Sequence, residues 1–271
     1  MPFYRFEEME DVVYMTPRLS TGHGPMIEGR YMTYCLNCKE AGTGSQIHYH
    51  PNELLIFPLQ GSINALVGRD RRIVKPGTFI HVPPCGRHQM LATEDGPLSY
   101  IYVKDNTWSV VGVAADEALP EKAQTVEEVT REYEQSDWEA GQGKTKKTDG
   151  ESAVIIDGLG NCYYSILDSF DAPVSSGNRS YSIEGQNLNF CFSESLAGTE
   201  ISWNQSAHEV FIYLIHGSMD VEVEGEQKTV GCDDIIHVPQ GAAFHMAVKK
   251  DECVRYVSIS SSDLLEKALA Q

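Results

Sequence analysis

The sequence predicts an all-β fold in which one domain is present twice. Comparison of the chain with itself shows a repeat at a constant offset of 156 residues, and the segments 53–83 and 209–239 share ten identities in 31 gap-free positions. Both copies contain short, partly alternating apolar runs that end at turn residues, such as 63–67 and 219–223. Several short strands at such spacing are typical of a sandwich or barrel.

The repeat divides the chain into four segments. The two copies are recognised by the glutamate, glycine, histidine and proline positions that they share, and the connector between them by its acidic and polar composition. The predicted segments are an N-terminal arm at 1–27, the first copy at 28–110, a connector at 111–183, and the second copy with its tail at 184–271.

Helix signals are confined to the connector and the tail. Thr125 and Glu128 have the spacing of a capping box, and they predict a helix whose apolar face is formed by positions 126, 129 and 133. Serines before Asp263 can cap a short C-terminal helix that ends at Leu269. Residues 141–150, rich in Gly, Lys and Thr, have the composition of a flexible linker.

The charge of the chain argues against two classes of partner. With 21 Lys+Arg against 39 Asp+Glu, the 271 residues carry a net charge of −18. A nucleic-acid partner requires a basic face, and anionic lipid headgroups repel an acidic one. The stretch 116–139 holds nine acidic and two basic side chains, which we interpret as a solvated connector. The acidity therefore indicates nothing about a substrate.

We expect a cytoplasmic protein. The N-terminus lacks a basic region followed by an apolar stretch, and no uncharged apolar run is long enough to cross a membrane. The seven cysteines are an odd and sparse set, which suits reduced thiols. Cys35 and Cys38 lie in a predicted strand, where positions three apart face opposite sides, so we do not expect them to form a redox or zinc pair.

Three histidines of the first copy form the candidate metal site. His48 and His50 are two residues apart, and on a strand they project from the same face. Two neutral imidazoles at this spacing can bind one metal ion. His88 follows a segment that starts at Gly77 and turns at Pro83.

These segments resemble the two signature motifs of the cupin superfamily, G-x5-H-x-H-x3-4-E-x6-G and G-x5-P-x-G-x2-H-x3-N. The matching residues are Gly42, His48, His50 and Gly61 in the first motif and Gly77, Pro83 and His88 in the second, with the inner glycine displaced to Gly86. With both copies, the resemblance is to a bicupin and covers rather more than half of the chain. It implies two jelly-roll barrels of the double-stranded β-helix type, whose motif histidines point inward.

The first copy departs from the cupin motifs at two positions. Leu54 stands where the first motif has its glutamate, and Ala92 stands where the second has its asparagine. Glu53, one residue earlier, faces away on a regular strand unless a bulge turns it back, so its role as a fourth ligand stays open. The resemblance therefore implies a metal held by His48, His50 and His88 with open coordination positions.

The second copy has lost these ligands. At the same offset, His48, His50 and His88 become Asn204, Ser206 and Phe244, so we expect this copy to serve packing or pocket walls. His81 recurs there as His237 although the ligands do not. A histidine retained independently of the ligands is expected to be structural.

The leading hypothesis is a metal-dependent enzyme acting on a small organic molecule. A cupin without the carboxylate resembles the three-histidine iron oxygenases, so Fe(II) and a dioxygenase reaction are favoured, although Zn, Mn, Ni or Cu also suit imidazole ligands. The alternatives are a redox-neutral isomerase, lyase or cyclase and a non-catalytic ligand-binding bicupin. No catalytic residue is assigned beyond the ligands. A homodimer paired through sheet edges or the N-terminal arm is the one protein partner considered.

Overall fold

The protein is described by a computed structural model, which covers residues 1–12, 18–108, 112–125, 127, 128, 131, 134, 135, 151–168, 170–174 and 177–270. The chain forms two compact units. The N-terminal unit comprises residues 10–27 and 33–170, and the C-terminal unit comprises residues 1–9, 28–32 and 171–271. Residues 1–9 thus group with the second copy of the repeat, and residues 151–168 with the first.

The described residues contain 21 strands, a 3-10 turn at Phe6–Glu8 and a C-terminal helix at Asp263–Leu269. The strands are β1 Phe3–Arg5, β2 Met26–Glu28, β3 Met32–Lys39, β4 His48–Tyr49, β5 Leu54–Gln60, β6 Ile63–Val67, β7 Asp70–Val74, β8 Thr78–Val82, β9 His88–Ala92, β10 Leu98–Asp105, β11 Val113–Ala114, β12 Tyr163–Ser165, β13 Arg179–Glu184, β14 Leu188–Ser195, β15 Glu200–Trp203, β16 Val210–His216, β17 Met219–Val223, β18 Glu226–Val230, β19 Asp234–Val238, β20 Phe244–Val248 and β21 Val254–Ser261. The predicted all-β class is confirmed.

Each unit is built from two sheets. In the N-terminal unit the strand orders are β12-β8-β5-β10-β3-β2 and β11-β4-β9-β6-β7. In the C-terminal unit they are β1-β19-β16-β21-β14-β13 and β15-β20-β17-β18. The strand β1 pairs with β19 of the same chain, as β12 pairs with β8. The first residues of the predicted N-terminal arm are therefore already paired within this chain.

The offset of 156 residues holds for the strand boundaries. The seven strands β3 and β5 to β10 reappear as β14 and β16 to β21 with the same first and last positions. Alternation explains why these runs form strands: in β17, Met219, Val221 and Val223 are buried, whereas Asp220 and Glu222 between them are not. The repeated sequence pattern therefore folds into repeated strands.

The two cores occupy equivalent positions as well. The N-terminal core includes Ile56, Ala65, Val82, Met90 and Tyr100. The C-terminal core has Ile212, Val221, Val238, Met246 and Tyr256 at the same offset. Leu54, at the position of the motif glutamate, belongs to the first of these cores and is fully buried. The register thus turns position 54 into the barrel and position 53 away from it.

Both predicted helices can be compared with the structure. The C-terminal helix begins with Ser262 as its N-cap, whose hydroxyl accepts the backbone N–H of Leu265 at 3.2 Å. In the connector, Thr125 and Glu128 exchange the two hydrogen bonds of a capping box. The predicted apolar positions 126, 129 and 133 lie outside the described residues, as does the predicted linker at 141–150.

Two observations bear on the remaining expectations. None of the seven cysteines, all within the described residues, forms a disulfide. Among the described helices, none is long and apolar enough to cross a membrane.

Gly61 and Gly217 show why both copies keep a glycine before β6 and β17. Their φ angles are +76° and +82°. A Cβ would lie 2.3 Å from the carbonyl oxygen of Pro97 in the first case and 2.2 Å from that of Cys253 in the second. Only a residue without a Cβ tolerates both the left-handed backbone and this approach.

We expect Gly217→Ala to destabilise the protein more than Gly225→Ala. Gly225 has nearly the same φ, +81°, but nothing lies within 4 Å of its Cβ position. The control therefore carries only the backbone cost of about 1–2 kcal/mol, whereas Gly217→Ala adds overpacking of about 1–3 kcal/mol. Urea-unfolding midpoints of both variants measure the difference. Equal midpoints would contradict the role assigned to the close approach.

Candidate metal centre

The pairing of β4 with β9 brings the three predicted histidines together. His48 is directly opposite His88 in this antiparallel pair, and His50 follows β4 by one residue. His48 and His50 lie on one side of the chain, while the Tyr49 hydroxyl between them donates to the Glu117 carbonyl at 2.9 Å. The predicted grouping is therefore present in the structure.

The imidazole rings are close enough to share one ion. Their candidate ligand nitrogens all lie within 4.8 Å of one another. The ring centroids are 4.2 Å apart for His48 and His88, 5.0 Å for His48 and His50, and 5.2 Å for His50 and His88.

Hydrogen bonds to the backbone determine the tautomer of two of the rings. Nδ1 of His48 lies 2.7 Å from the Gln46 carbonyl, and Nδ1 of His88 lies 2.8 Å from the Gly86 carbonyl. A carbonyl only accepts, so both Nδ1 atoms carry the proton, and both Nε2 atoms keep a lone pair. This is the arrangement in which histidine binds a metal through Nε2.

Burial favours the neutral form of His48 and His88. All three histidines are at most 3% exposed. Burial is the largest cause that lowers the pKa of His88, to about 4, and it holds the pKa of His48 well below its ordinary range. Because a metal ligand must be unprotonated, the low pKa favours ion binding near neutral pH.

Gly112 leaves room beside the rings. A Cβ at this position would lie 2.8 Å from Cδ2 of His48 and 3.0 Å from Cε1 of His50. Any other residue there would displace the two rings. The three imidazoles, the tautomers of His48 and His88 and this space fit a small cation with three nitrogen ligands.

The turn before β9 connects the ligands to each other. The backbone N–H of Cys85 donates to the His50 carbonyl at 2.7 Å, and that of Gly86 donates to the Pro83 carbonyl at 2.9 Å. The displaced inner glycine of the motif is therefore part of the turn that positions His88.

Comparison with known proteins identifies the segment that holds this centre. Residues 38–104 match the family model described as a cupin domain. We call these residues the cupin segment. It contains His48, His50 and His88, so the resemblance inferred from the motifs is confirmed for this part of the chain.

Solved structures extend the likeness in fold. A tryptophan-to-phenylalanine variant of oxalate decarboxylase from B. subtilis is similar with a TM-score of 0.63 at 15% identity, and the match covers 97% of this chain and 78% of that chain. A structure of Bacillus subtilis oxalate decarboxylase concerned with its Mn(II) centres gives 0.62 at 14% identity, over 97% and 78% of the two chains. No curated protein sequence matches this chain. At these identities the likeness shows the fold alone.

Glu53 of the cupin segment is paired with a histidine outside the centre. Its carboxylate accepts a hydrogen bond from Nε2 of His81 at 2.6 Å, and it is completely buried. Its backbone N–H donates to the Asp105 carboxylate at 2.7 Å. The Glu53 carboxylate is therefore bonded to His81 and is not part of the cluster formed by His48, His50 and His88.

The same pair occurs in the C-terminal unit. Nε2 of His237 donates to Glu209 at 2.9 Å, and the backbone N–H groups of Arg30, Tyr31 and Met32 donate to the same carboxylate at 2.7–3.2 Å. Burial raises the pKa of Glu209, but these hydrogen bonds outweigh it and lower the pKa overall. His81 and His237 thus bond to a buried glutamate at the same place in both copies, and their structural role stays a prediction.

The positions equivalent to the ligands in the C-terminal unit have other contacts. Asn204 is exposed, and the Ser206 hydroxyl donates to the His208 carbonyl at 2.6 Å. Phe244 packs against Trp203 with ring centroids 4.7 Å apart. His208, Asp263 and Glu266 approach one another near the C-terminal helix, but two of these residues are not buried.

A surface depression of about 400 Å³ lies elsewhere in the C-terminal unit. Its lining comes from β17, β18 and His245, and it includes Asp220, Glu222 and Lys228. None of the three clustered histidines borders it. Its mixed charge indicates no particular ligand.

A buried lysine of the cupin segment was not singled out from the sequence. Lys39 ends β3 on the buried face that also carries Cys35 and Asn37. Its ammonium donates to the Met90 carbonyl at 2.8 Å and lies 5.8 Å from the ring centroid of Tyr100. The alternation of β3 could have shown that position 39 faces inward, since every second residue of a strand shares a face.

We expect Gly112→Ala to weaken metal binding by about 10–100-fold, as changes around metal ligands do. The new methyl group would displace His48 and His50. Gly96→Ala in the same unit is the control, because nothing lies within 4 Å of its Cβ position and its φ is ordinary. Metal titration of both variants measures the effect. An unchanged affinity in Gly112→Ala would contradict the proposed space for the ion.

We expect Glu53→Gln to lower the stability of the protein without changing its metal binding. The substitution removes the charge from the buried hydrogen bond with His81, which should lower the free energy of unfolding by about 1–3 kcal/mol. Because the side chain is directed away from the centre, metal content per chain should stay that of the wild type. His88→Ala should instead lower the metal content per chain, because it removes a ligand, and it should leave the hydrogen bond between Glu53 and His81 in place. Loss of metal in a folded Glu53→Gln protein would show that the glutamate is a ligand after all.

Proposed function

We propose that the protein is a metal-dependent enzyme that acts on a small organic molecule, with the ion held by His48, His50 and His88. The observation that carries this proposal is the cluster of three buried imidazoles whose nitrogens lie within 4.8 Å of one another. Three imidazoles at this spacing form a ligand set that suits a divalent transition-metal ion.

The residues around the three histidines would orient the rings and leave room for the ion. The Gln46 and Gly86 carbonyls hold His48 and His88 in the tautomer that exposes Nε2. Gly112 keeps the adjacent space open, and the surrounding barrel limits access of water. A divalent ion at this place would supply Lewis acidity and open coordination positions, and iron would add redox chemistry with dioxygen.

Dioxygen-dependent cleavage or oxidation with Fe(II) is the reaction that we put first. Its support is the ligand set, which consists of neutral imidazoles without a carboxylate, since Glu53 is paired with His81. This set resembles that of the three-histidine iron oxygenases of the cupin superfamily.

A redox-neutral reaction with Mn(II) is the second candidate. It is favoured by the similarity in fold to oxalate decarboxylase, whose Mn(II) centres are the subject of one of the matched structures. In such a lyase or isomerase, an ion held by the three histidines would supply Lewis acidity toward an enolisable or carboxylate-bearing substrate. A ligand-binding protein without catalysis is the remaining alternative.

The proposal assigns the metal to the N-terminal unit. The C-terminal unit, with Asn204, Ser206 and Phe244 at the equivalent positions, would then contribute structure rather than ligands. The proposed partner is a small-molecule substrate, and association into a homodimer remains a separate proposal.

Metal analysis and oxygen uptake test this function. The purified protein should contain about one ion per chain, and His50→Ala should lose most of it because one of three ligands is removed. His245→Ala is the matched control, since this histidine lies on β20 of the other unit and bonds to Ser202 at 2.7 Å. Oxygen consumption is then followed over diketones, hydroxyaromatic acids and thiols.

The outcomes separate the candidates. Bound iron with substrate-dependent oxygen uptake supports the dioxygenase. Bound manganese with turnover of a substrate and no oxygen uptake supports the lyase or isomerase. A wild-type protein that takes up no metal, or a His50→Ala protein with full metal content, would overturn the proposal.

A further inference from the structure

Lys39 is buried and has no acidic partner among the described residues. It is 2% exposed, and its contacts are the neutral Met90 carbonyl and the face of Tyr100. No carboxylate in the described part of the chain lies within ion-pair distance of it. Buried lysines are rare unless they are paired, because an ammonium loses its hydration on burial.

The position of Lys39 relates it to the three histidines. Its hydrogen-bond acceptor, Met90, is two residues after His88 on β9 and shares the buried face of that strand. The positive charge of Lys39 also contributes to the lowered pKa of His48 and His88, after the larger effect of burial. Lys39 therefore lies beside β9, the strand that carries His88.

Lys39, His48 and His88 have no acidic side chain of the described residues paired with them. Glu53 is bonded to His81, burial lowers the pKa of His48 and His88, and no carboxylate of the described residues pairs with Lys39. Burial lowers the pKa of Lys39 to about 7, as expected for an ammonium without a counter-charge. An anion bound beside it would supply that charge, and it would also suit a divalent ion.

Lys104 is a second buried lysine of the same unit, and it differs from Lys39 because an acidic residue lies beside it. It is equally buried in the same unit, and burial also lowers its pKa to about 7, but Asp105 beside it acts in the opposite direction. Lys104 also donates to the Trp108 carbonyl at 3.4 Å. At the repeat offset Lys39 becomes Ser195, so the copy without the three histidines also lacks this lysine.

We propose that Lys39 binds a carboxylate of the substrate, and that the substrate of the three-histidine centre is therefore a small organic acid. One carboxylate oxygen accepts a charge-assisted hydrogen bond from the ammonium, which orients the acid toward the imidazoles. The proposal deepens the proposed function and rests on it for the role of the metal. Lys39 is a substrate-binding residue that takes no part in holding the ion.

Binding of two probes to the metal-loaded protein tests this assignment. Oxalate is the chelating carboxylate, and imidazole is a neutral metal ligand that needs no ammonium. In Lys39→Met the dissociation constant for oxalate should rise at least about tenfold, which corresponds to about 1.4 kcal/mol. The constant for imidazole and the metal content should stay unchanged. Lys39→Arg should restore most of the oxalate binding, and Lys104→Met is the control for removal of a buried lysine.

Several results would overturn the proposal. The first is that Lys39→Met binds oxalate as the wild type does, or loses imidazole binding as strongly as oxalate binding. The second is that Lys104→Met loses as much oxalate binding as Lys39→Met. The third is that the wild type binds no oxalate.

If Lys39→Met does not fold, the NMR chemical shift of the Lys39 Cε in the wild-type protein replaces the variant as the readout. This shift must respond to oxalate and not to imidazole. A response to imidazole and not to oxalate would contradict the proposal. If the wild type takes up no metal, the proposed function fails, while oxalate titration of the metal-free protein still tests Lys39.

Discussion

The antiparallel pairing of β4 with β9 determines the geometry of the candidate centre. It sets His48 opposite His88, and the turn that enters β9 is bonded through Cys85 to the His50 carbonyl. Two backbone carbonyls then orient the rings of His48 and His88, and burial favours their neutral form. A shift of this pairing by one residue would turn the side chains to the opposite face, because successive strand residues alternate. The candidate site thus depends on register.

The placement of buried charge is the second constraint. Glu53 and Glu209 are each turned away from the barrel core and hydrogen-bonded to a histidine of the neighbouring strand. These pairs satisfy carboxylates that would be costly to bury alone. As a consequence, the three clustered imidazoles have no carboxylate from the motif position beside them. The buried Lys39 lies beside β9, which carries His88, and the substrate class that we propose follows from this placement.

The two units show how a fold can be retained while a site changes. Strand boundaries, core positions and the glutamate–histidine pair recur at the same offset. The ligand positions do not, since Phe244 packs on Trp203 where the first copy has His88. Core positions are constrained by packing density, whereas the inward polar positions are constrained only by function. Similarity in fold to a known enzyme therefore does not by itself identify the reaction of this chain.

The sequence by itself determined the features that depend on local periodicity. The repeat, the strands, the C-terminal helix with its serine cap and the grouping of His48, His50 and His88 all follow from spacing along the chain. Only the tertiary structure decided the roles of Glu53, Gly112 and Lys39. Their partners, His81, the ligand rings and Met90, are 28 to 64 positions away in the chain, and they meet through strand pairing. Spacing predicts which face a side chain is on, but contact between distant strands is needed to show what it meets there.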